Sequence, residues 1–201
     1  ARRRMGPVLT DYEVIVCVTG GIAAYKTAAF VSKLVQDGAG VSVAMTPAAQ
    51  HFVGVETFQG LTGRPVLTSV WSEGAGGDMA HLDPSERADL IVVAPATANI
   101  IGKLASGIAD DLVSTLLLGA DCPAMLAPAM NTRMWNHPAV KRNIEFLRAN
   151  GFPIVGPGEG HLACGTQGAG RMLEPDELLV AARAQLHKSL PRIKQNKGLE
   201  K

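Results

Sequence analysis

This chain has almost no excess of either charge. Its 201 residues carry 19 Lys and Arg against 18 Asp and Glu, a net charge of +1. Nucleic-acid binders usually show a strong basic excess, so that class loses its electrostatic support. Aromatic residues make up only 4%, too few for a platform that stacks single strands. Cysteine is scarce as well: Cys17, Cys122 and Cys164 are widely spaced and form no CxxC pair. Such a set argues against a disulfide framework or a zinc site and suits a reducing, cytoplasmic setting. Apolar runs such as Leu90 to Ala98 fall far short of the ~20 residues that span a bilayer. The basic start Ala1-Arg2-Arg3-Arg4-Met5 is not followed directly by an apolar signal-peptide core. What is present is a 47% hydrophobic, 18% charged composition, enough for a full core. The length suits one domain, over residues 1–186. Residues 187–201 carry Lys188, Arg192, Lys194, Lys197 and Lys201 and read as a solvated tail or the start of a linker.

Short apolar runs alternate with helical segments. Val14 to Val18, Val41 to Met45, Leu90 to Ala94 and Ala124 to Ala127 read as strands, with Pro153-Ile154-Val155 as a short last one. Continuous apolar character is what a strand buried on both faces requires. Helices are expected over Ile22 to Gln36, ended by Gly38, over Asn136 to Asn150, ended by Gly151, and over Asp176 to Leu186. Pro47 stands where a helix's first turn would begin. The alternation predicts a three-layer α/β domain with a doubly wound, Rossmann-like parallel sheet. Ligands of such sheets sit beyond the carboxyl ends of the strands. Four strand ends are polar or glycine-containing: Gly20-Gly21, Thr46, Pro95-Ala96-Thr97-Ala98-Asn99 and Pro128-Ala129-Met130-Asn131. Together they define a rim. Gly74 to Asp78 and the glycine-rich stretch Gly156 to Arg171 read as irregular loops; one as long as the second is usually functional or disordered.

Val18-Thr19-Gly20-Gly21-Ile22 is a strand–turn–helix junction, where glycines admit a ligand to the backbone and the helix N-terminus favours an anion. A tight turn without any ligand stays open at this point. The common nucleotide fingerprints fail here. The turn lacks the third glycine of GxGxxG, and Thr46 stands where a carboxylate would hold an adenosine ribose, which argues against NAD. Gly20 to Thr27 nearly fits a phosphate-wrapping loop, but Tyr25 occupies the position of its last glycine, which argues against ATP and GTP. Hydroxyls at Thr46 and Thr97 suit a single phosphate or a polar ring edge, as in a mononucleotide such as FMN.

Three residues could carry chemistry. His81 lies in a loop and titrates near neutrality, as a base should; an exposed loop histidine is the plainer alternative. Asn131 has an amide suited to a carboxylate or amide, and is equally a common helix cap. Cys164 lies in the glycine-rich loop, where a reactive thiol belongs, whereas Cys17 in a strand and Cys122 beside Pro123 suit structural roles. His161 near Cys164 makes a poor zinc pair without further ligands. Ser106 and His137 lack the GxSxG setting of a serine hydrolase.

These segments carry a resemblance. Thr19-Gly20-Gly21-Ile22-Ala23-Ala24-Tyr25-Lys26, His81 ahead of Ala88-Asp89-Leu90, and Ala94-Pro95-Ala96-Thr97-Ala98-Asn99 come first. Gly102 to Asp110, Pro128-Ala129-Met130-Asn131-Thr132-Arg133-Met134-Trp135, and Ala163-Cys164-Gly165 through Gly170-Arg171-Met172 follow. In this order the chain, from about Tyr12 to Leu186, resembles the homo-oligomeric flavin-containing cysteine decarboxylases. The resemblance implies the flavoprotein fold, FMN as cofactor, and decarboxylation of 4'-phosphopantothenoylcysteine to 4'-phosphopantetheine in coenzyme A biosynthesis. The implied route is oxidation of the thiol to a thioaldehyde, loss of CO2, and reduction of the resulting enethiolate. It implies catalytic roles for His81, Asn131 and Cys164: base or orienting group, carboxylate or amide ligand, and proton donor. FMN would be held by Gly20, Gly21, Ile22, Thr46, Pro95, Ala96, Thr97, Ala98, Asn99 and Ala129. Substrate would be held by Met130, Asn131, Met134 and Arg171, with Lys103 a second candidate for its phosphate. Gly21 stands where relatives often carry serine, so backbone N–H groups would do more of the phosphate binding. No metal is implied. The expected assembly is a homotrimer that builds a homododecamer, fused to or partnered with a phosphopantothenate–cysteine ligase domain. The alternatives within this resemblance are a lantibiotic-type peptidyl-cysteine decarboxylase and a non-enzymatic flavin-binding regulatory subunit.

Overall fold

The computed structural model describes residues 8–69, 86–161 and 167–193. Four apolar runs form one parallel sheet: β1 (Glu13–Val18), β2 (Gly40–Met45), β3 (Leu90–Ala96) and β4 (Ala124–Pro128), in the order β2-β1-β3-β4. Val14 lies opposite Val41 on one side and Leu90 on the other, and Ile91 lies opposite Ala124. Single parallel bridges extend both edges, Ala44 to Leu67 and Leu126 to Ile154. The expected last strand over 153–155 is thus present only as a bridge.

Alternation along the strands fills two cores. Val14, Val16 and Val18 face one side, with Val41, Val43 and Val92. There they meet α1 (Ala24–Gln36), α2 (Val55–Thr62) and α7 (Pro175–Leu186) through Phe30, Leu34, Phe58, Leu178, Ala182 and Leu186. Ile15, Cys17, Ile91 and Val93 face the other side. They pack on α3 (Ala98–Ser106), α4 (Leu112–Gly119) and α6 (Pro138–Ala149) through Ile100, Ile101, Leu116, Ile144 and Leu147. A four-residue helix, α5 (Thr132–Trp135), joins β4 to α6. Fully burying each such side chain contributes about 1.5–3 kcal/mol, and truncating one, Phe30→Ala for instance, costs roughly 3–5 kcal/mol. Cys17 and Cys122 are buried and unbridged, and burial pushes both thiols up in pKa. They are structural, as their sequence settings suggested.

Two readings are corrected. Gly156 to Arg171 is not one irregular loop: β5 (Gly158–His161) and β6 (Gln167–Arg171) pair antiparallel. Glycine is depleted in strands, and that hid the hairpin. Nor do residues 187–193 form a solvated tail. The Tyr12 hydroxyl donates to the Ser189 carbonyl at 2.9 Å, and the Arg192 backbone N–H donates to Asp89 Oδ1 at 2.7 Å. Just before them, Arg183 of α7 forks onto Asp37 at the end of α1, Nε to Oδ2 at 2.6 Å and Nη2 to Oδ1 at 2.5 Å.

Candidate active site

From β1 the chain crosses to β2 on one side, while β3 pairs with β1 on the other. The crevice at this reversal, beyond the carboxyl ends of the strands, is where open α/β sheets take ligands. A cleft of about 990 Å³ opens there, lined from Gly20, Thr46, Thr97, Ala129 and Gly170 and their neighbours.

The first wall is built by backbone and small residues. Thr19 closes the β1 end by donating its hydroxyl to the Pro95 carbonyl. A Cβ on Gly20 would stand 2.5 Å from the Ala48 Cβ, so only glycine lets β1 lie against the 3-10 turn Pro47–His51. At Gly21 a Cβ would meet only ordinary contacts, 3.6 Å from Thr97 Cγ2, so that position is not sterically bound to glycine. Thr46 caps the 3-10 turn by accepting from the Ala49 N–H at 3.2 Å. Thr97 caps α3, accepting from the Ile100 N–H, so the N-terminal turn of α3, with Ala98 and Asn99, lines the cleft. Such a terminus favours an anion. Ile22 contributes an apolar side chain, 59% exposed. Pro95 and Ala96, expected on this rim, are buried within β3 and do not line the cleft; β3 runs past Ala94 to Ala96.

The second wall follows β4. Asn131 caps α5: its Oδ1 accepts from the Met134 N–H at 2.8 Å. That bond orients the amide and leaves the Nδ2 hydrogens without a partner among the described residues. Met130 and Met134 stand beside it on the cleft lining. Strand β6 braces this turn, with the Met130 N–H donating to the Gly170 carbonyl at 2.9 Å. A Cβ on Gly170 would stand 2.1 Å from the Met130 carbonyl oxygen, and its φ of +139° suits glycine. Thr132 Oγ1 is buried with no hydrogen-bond partner among the described residues.

Residues 5–187 match the family model described as Flavoprotein.

The chain belongs to the flavoprotein family. It is 51% identical over 175 residues to the coenzyme A biosynthesis bifunctional protein CoaBC of Bacillus subtilis, covering 87% of this chain and 43% of that protein. It is 42% identical over 171 residues to the Vibrio cholerae protein of the same name, covering 85% and 43%. This flavoprotein thus spans less than half the length of these relatives. Among solved structures, it is similar to a PPC decarboxylase mutant complexed with pantothenoylaminoethenethiol, at 29% identity, TM-score 0.76, covering 86% of this chain and 97% of that one. It is likewise similar to the FMN-dependent cysteine decarboxylase SpaF, at 30% identity, TM-score 0.74, covering 88% and 96%.

The flavoprotein's cleft carries two charged groups. Lys26 is buried and reaches Glu174 Oε1 at 2.7 Å and the Met172 carbonyl at 3.3 Å. Arg171 Nη2 lies 2.6 Å from the same Glu174 oxygen. Hydrogen bonding to Lys26, and then the Arg171 contact, holds the Glu174 carboxyl below its ordinary pKa. Elsewhere on the lining, Lys103 Nζ lies 2.6 Å from both Asp110 Oδ1 and Asp111 Oδ2. Those bonds raise the Lys103 pKa, Asp110 contributing most. Burial pushes Asp111 up, but hydrogen bonds from Lys103 and Ser114 outweigh it and the net shift is downward. Lys103 is therefore committed to two carboxylates rather than available to a phosphate. Asp111 and Glu174 escaped the sequence reading, and Gly170 entered it only within the family segment, with no role; Glu174, three residues from Arg171 at a helix start, carried the one further signal, a charge at ion-pair spacing. His81, Cys164 and Gly74 to Asp78 lie outside the described residues. Among those described, no group of three or more acidic, His or Cys side chains is placed to hold a metal, and no helix is long and apolar enough to cross a membrane.

Proposed function

We propose that this flavoprotein is an FMN-dependent carboxy-lyase that converts 4'-phosphopantothenoylcysteine to 4'-phosphopantetheine. The observation that carries the reading is Asn131. Its oxygen is spent on a helix cap, its Nδ2 donors have no partner among the described residues, and it lines the same largely apolar cleft as the Gly20-Gly21 turn. That arrangement suits a carboxylate held beside a flat, phosphorylated cofactor. The likeness to the CoaBC proteins and to the pantothenoylaminoethenethiol complex supports the substrate class.

The cradle fits FMN: Gly20, Gly21 and Ile22 offer backbone N–H groups, Thr46, Thr97, Ala98 and Asn99 offer polar edges and a helix N-terminus, and Ala129 a small apolar surface. Pro95 and Ala96 back this surface from within β3. Bound there, FMN would supply the two-electron redox chemistry that the decarboxylation needs. Asn131 Nδ2 donates to the substrate carboxylate or neighbouring amide and fixes the bond that breaks. Met130 and Met134 exclude water from that bond. Arg171 offers its guanidinium to the substrate phosphate. His81 serves as base or orienting group for thiol oxidation, and Cys164 Sγ–H protonates the enethiolate carbon; both roles rest on the family resemblance. The same reading places the protein in the cytoplasm as a homotrimer building a homododecamer, with a phosphopantothenate–cysteine ligase domain fused or partnered.

The test is anaerobic mixing of FMN-loaded protein with phosphopantothenoylcysteine, following CO2, flavin absorbance and product mass. CO2 release with the flavin finally oxidised and a product of phosphopantetheine mass is expected. Bleached flavin with an enethiol product points instead to the peptidyl-cysteine decarboxylase type. No reaction from flavin-loaded protein points to a regulatory subunit.

A further inference from the structure

We propose that Glu174 is a positioning residue that, anchored by Lys26, holds the Arg171 guanidinium on the cleft wall to receive the phosphate of the substrate. This rests on the decarboxylase reading above and names the residue that sets its preference for a phosphorylated substrate.

Arg171 ends β6 and is 42% exposed, so on its own it would sample many rotamers. One contact restricts it: its Nη2 donates to Glu174 Oε1 at 2.6 Å. Glu174 is itself fixed. The same oxygen accepts from Lys26, whose side chain is only 7% exposed and whose second bond is to the Met172 carbonyl. Lys26 projects from α1, directly after the Gly20-Gly21 turn, and Glu174 precedes α7. One carboxylate thus ties the cradle wall to the hairpin wall.

The charges decide what this arrangement accepts. Two cations share the Glu174 carboxylate, so these three bonded side chains carry one positive charge in excess, offset in part by Glu177, whose Oε2 accepts from the Glu174 N–H at 2.8 Å; among the described residues the Arg171 fork keeps its remaining N–H donors for a ligand. At Lys103 the balance is reversed, with two carboxylates on one ammonium. A phosphate dianion is drawn to the first cluster and repelled from the second. Planar guanidinium held in place is also the group best matched to phosphate oxygens. Bound phosphate then adds a second anion to the cluster without displacing Glu174, because Lys26 and Arg171 together supply the compensating charge.

The experiment compares FMN-loaded wild type, Glu174→Gln and Glu174→Asp on phosphopantothenoylcysteine and on unphosphorylated pantothenoylcysteine. Binding of phosphopantetheine and pantetheine is measured in parallel by calorimetry. Glu174→Gln is expected to raise KM for the phosphorylated substrate, and Kd for phosphopantetheine, about tenfold, with kcat within about twofold. The unphosphorylated compounds are expected to show no change, and Glu174→Asp to fall between. Equal losses on both substrates, or a fall in kcat with KM unchanged, overturns the positioning role. Should Glu174→Gln fail to fold, Glu174→Asp is judged by the same criteria. Wild type that turns over both substrates equally well overturns the phosphate assignment alone; wild type that turns over neither overturns the decarboxylase reading.

Discussion

The two walls of the cleft are built on opposite plans. On the β1 side nearly every polar group is committed: the Thr19 hydroxyl to Pro95, Thr27 to Ala94, Thr46 to Ala49, and Lys26 to Glu174. On the β4 side groups are held in reserve. Among the described residues, the Asn131 amide has donors to spare and the Thr132 hydroxyl is unpaired, and Met134 is 43% exposed in a helix of only four residues. A wall of committed side chains, with backbone N–H groups left to face the cleft, suits a ligand that stays. A wall of unspent side-chain donors suits one that arrives, reacts and leaves.

Substitutions should separate the two plans. The largest effect is expected at Gly170, where both walls of the hairpin turn depend on close approach. Gly170→Ala drives a Cβ into the Met130 carbonyl and should destabilise by about 3 kcal/mol or more while abolishing turnover, as read by denaturant unfolding and CO2 release. Next comes Asn131→Asp. Aspartate keeps the cap on α5 but loses the Nδ2 donors and adds a like charge beside the substrate carboxylate. Thermal unfolding should barely move while kcat/KM falls about a hundredfold or more. A proportional loss of stability would show that Asn131 is only a cap. Gly20→Ala should cost about 1–3 kcal/mol, because Ala48 and its turn must shift, and should weaken FMN retention measured by flavin absorbance after dialysis.

Smaller effects lie on the reserve side and beneath it. Thr132→Val removes the orphan hydroxyl at nearly constant shape and should leave stability unchanged or raise it by up to about 1 kcal/mol; a clear loss would mean the hydroxyl has a partner when ligand is bound. Asp111 should contribute a weak acid dependence. Its folded pKa lies below the usual carboxylate value of 3.8, so its stabilisation is complete above that pH and is lost as pH falls through the folded value. Asp111→Asn should flatten that part of the acid unfolding curve.

The sheet was legible because its strands are unbroken apolar runs, which leave few alternatives to burial on both faces. The strand ends were legible for the same reason: where the run stopped, the rim began. Two errors came from applying that rule too simply. Pro95 and Ala96 follow Leu90 to Ala94 in sequence but remain inside β3, because Ala96 still pairs with Pro128 of the neighbouring strand. The β5–β6 hairpin was invisible because Gly168 and Gly170 answer to the Thr132 side chain and the Met130 backbone across from them, a tertiary demand with no local sign. Glu174 was overlooked for a similar reason: its partner Lys26 stands 148 positions away.

That sequence separation has a temporal side. The core on the α1 face is completed by Leu178, Ala182 and Leu186, and Arg183 reaches back 146 positions to Asp37. A ribosome delivers the four-stranded sheet well before these residues emerge, and the hairpin just before them. Until α7 is released, the core around Phe30 and Leu34 lacks Leu178, Ala182 and Leu186, and the nascent chain carries a partly open apolar face. Folding of this face is therefore timed to the end of α7's synthesis, and the interval before it is when the protein is most dependent on chaperones.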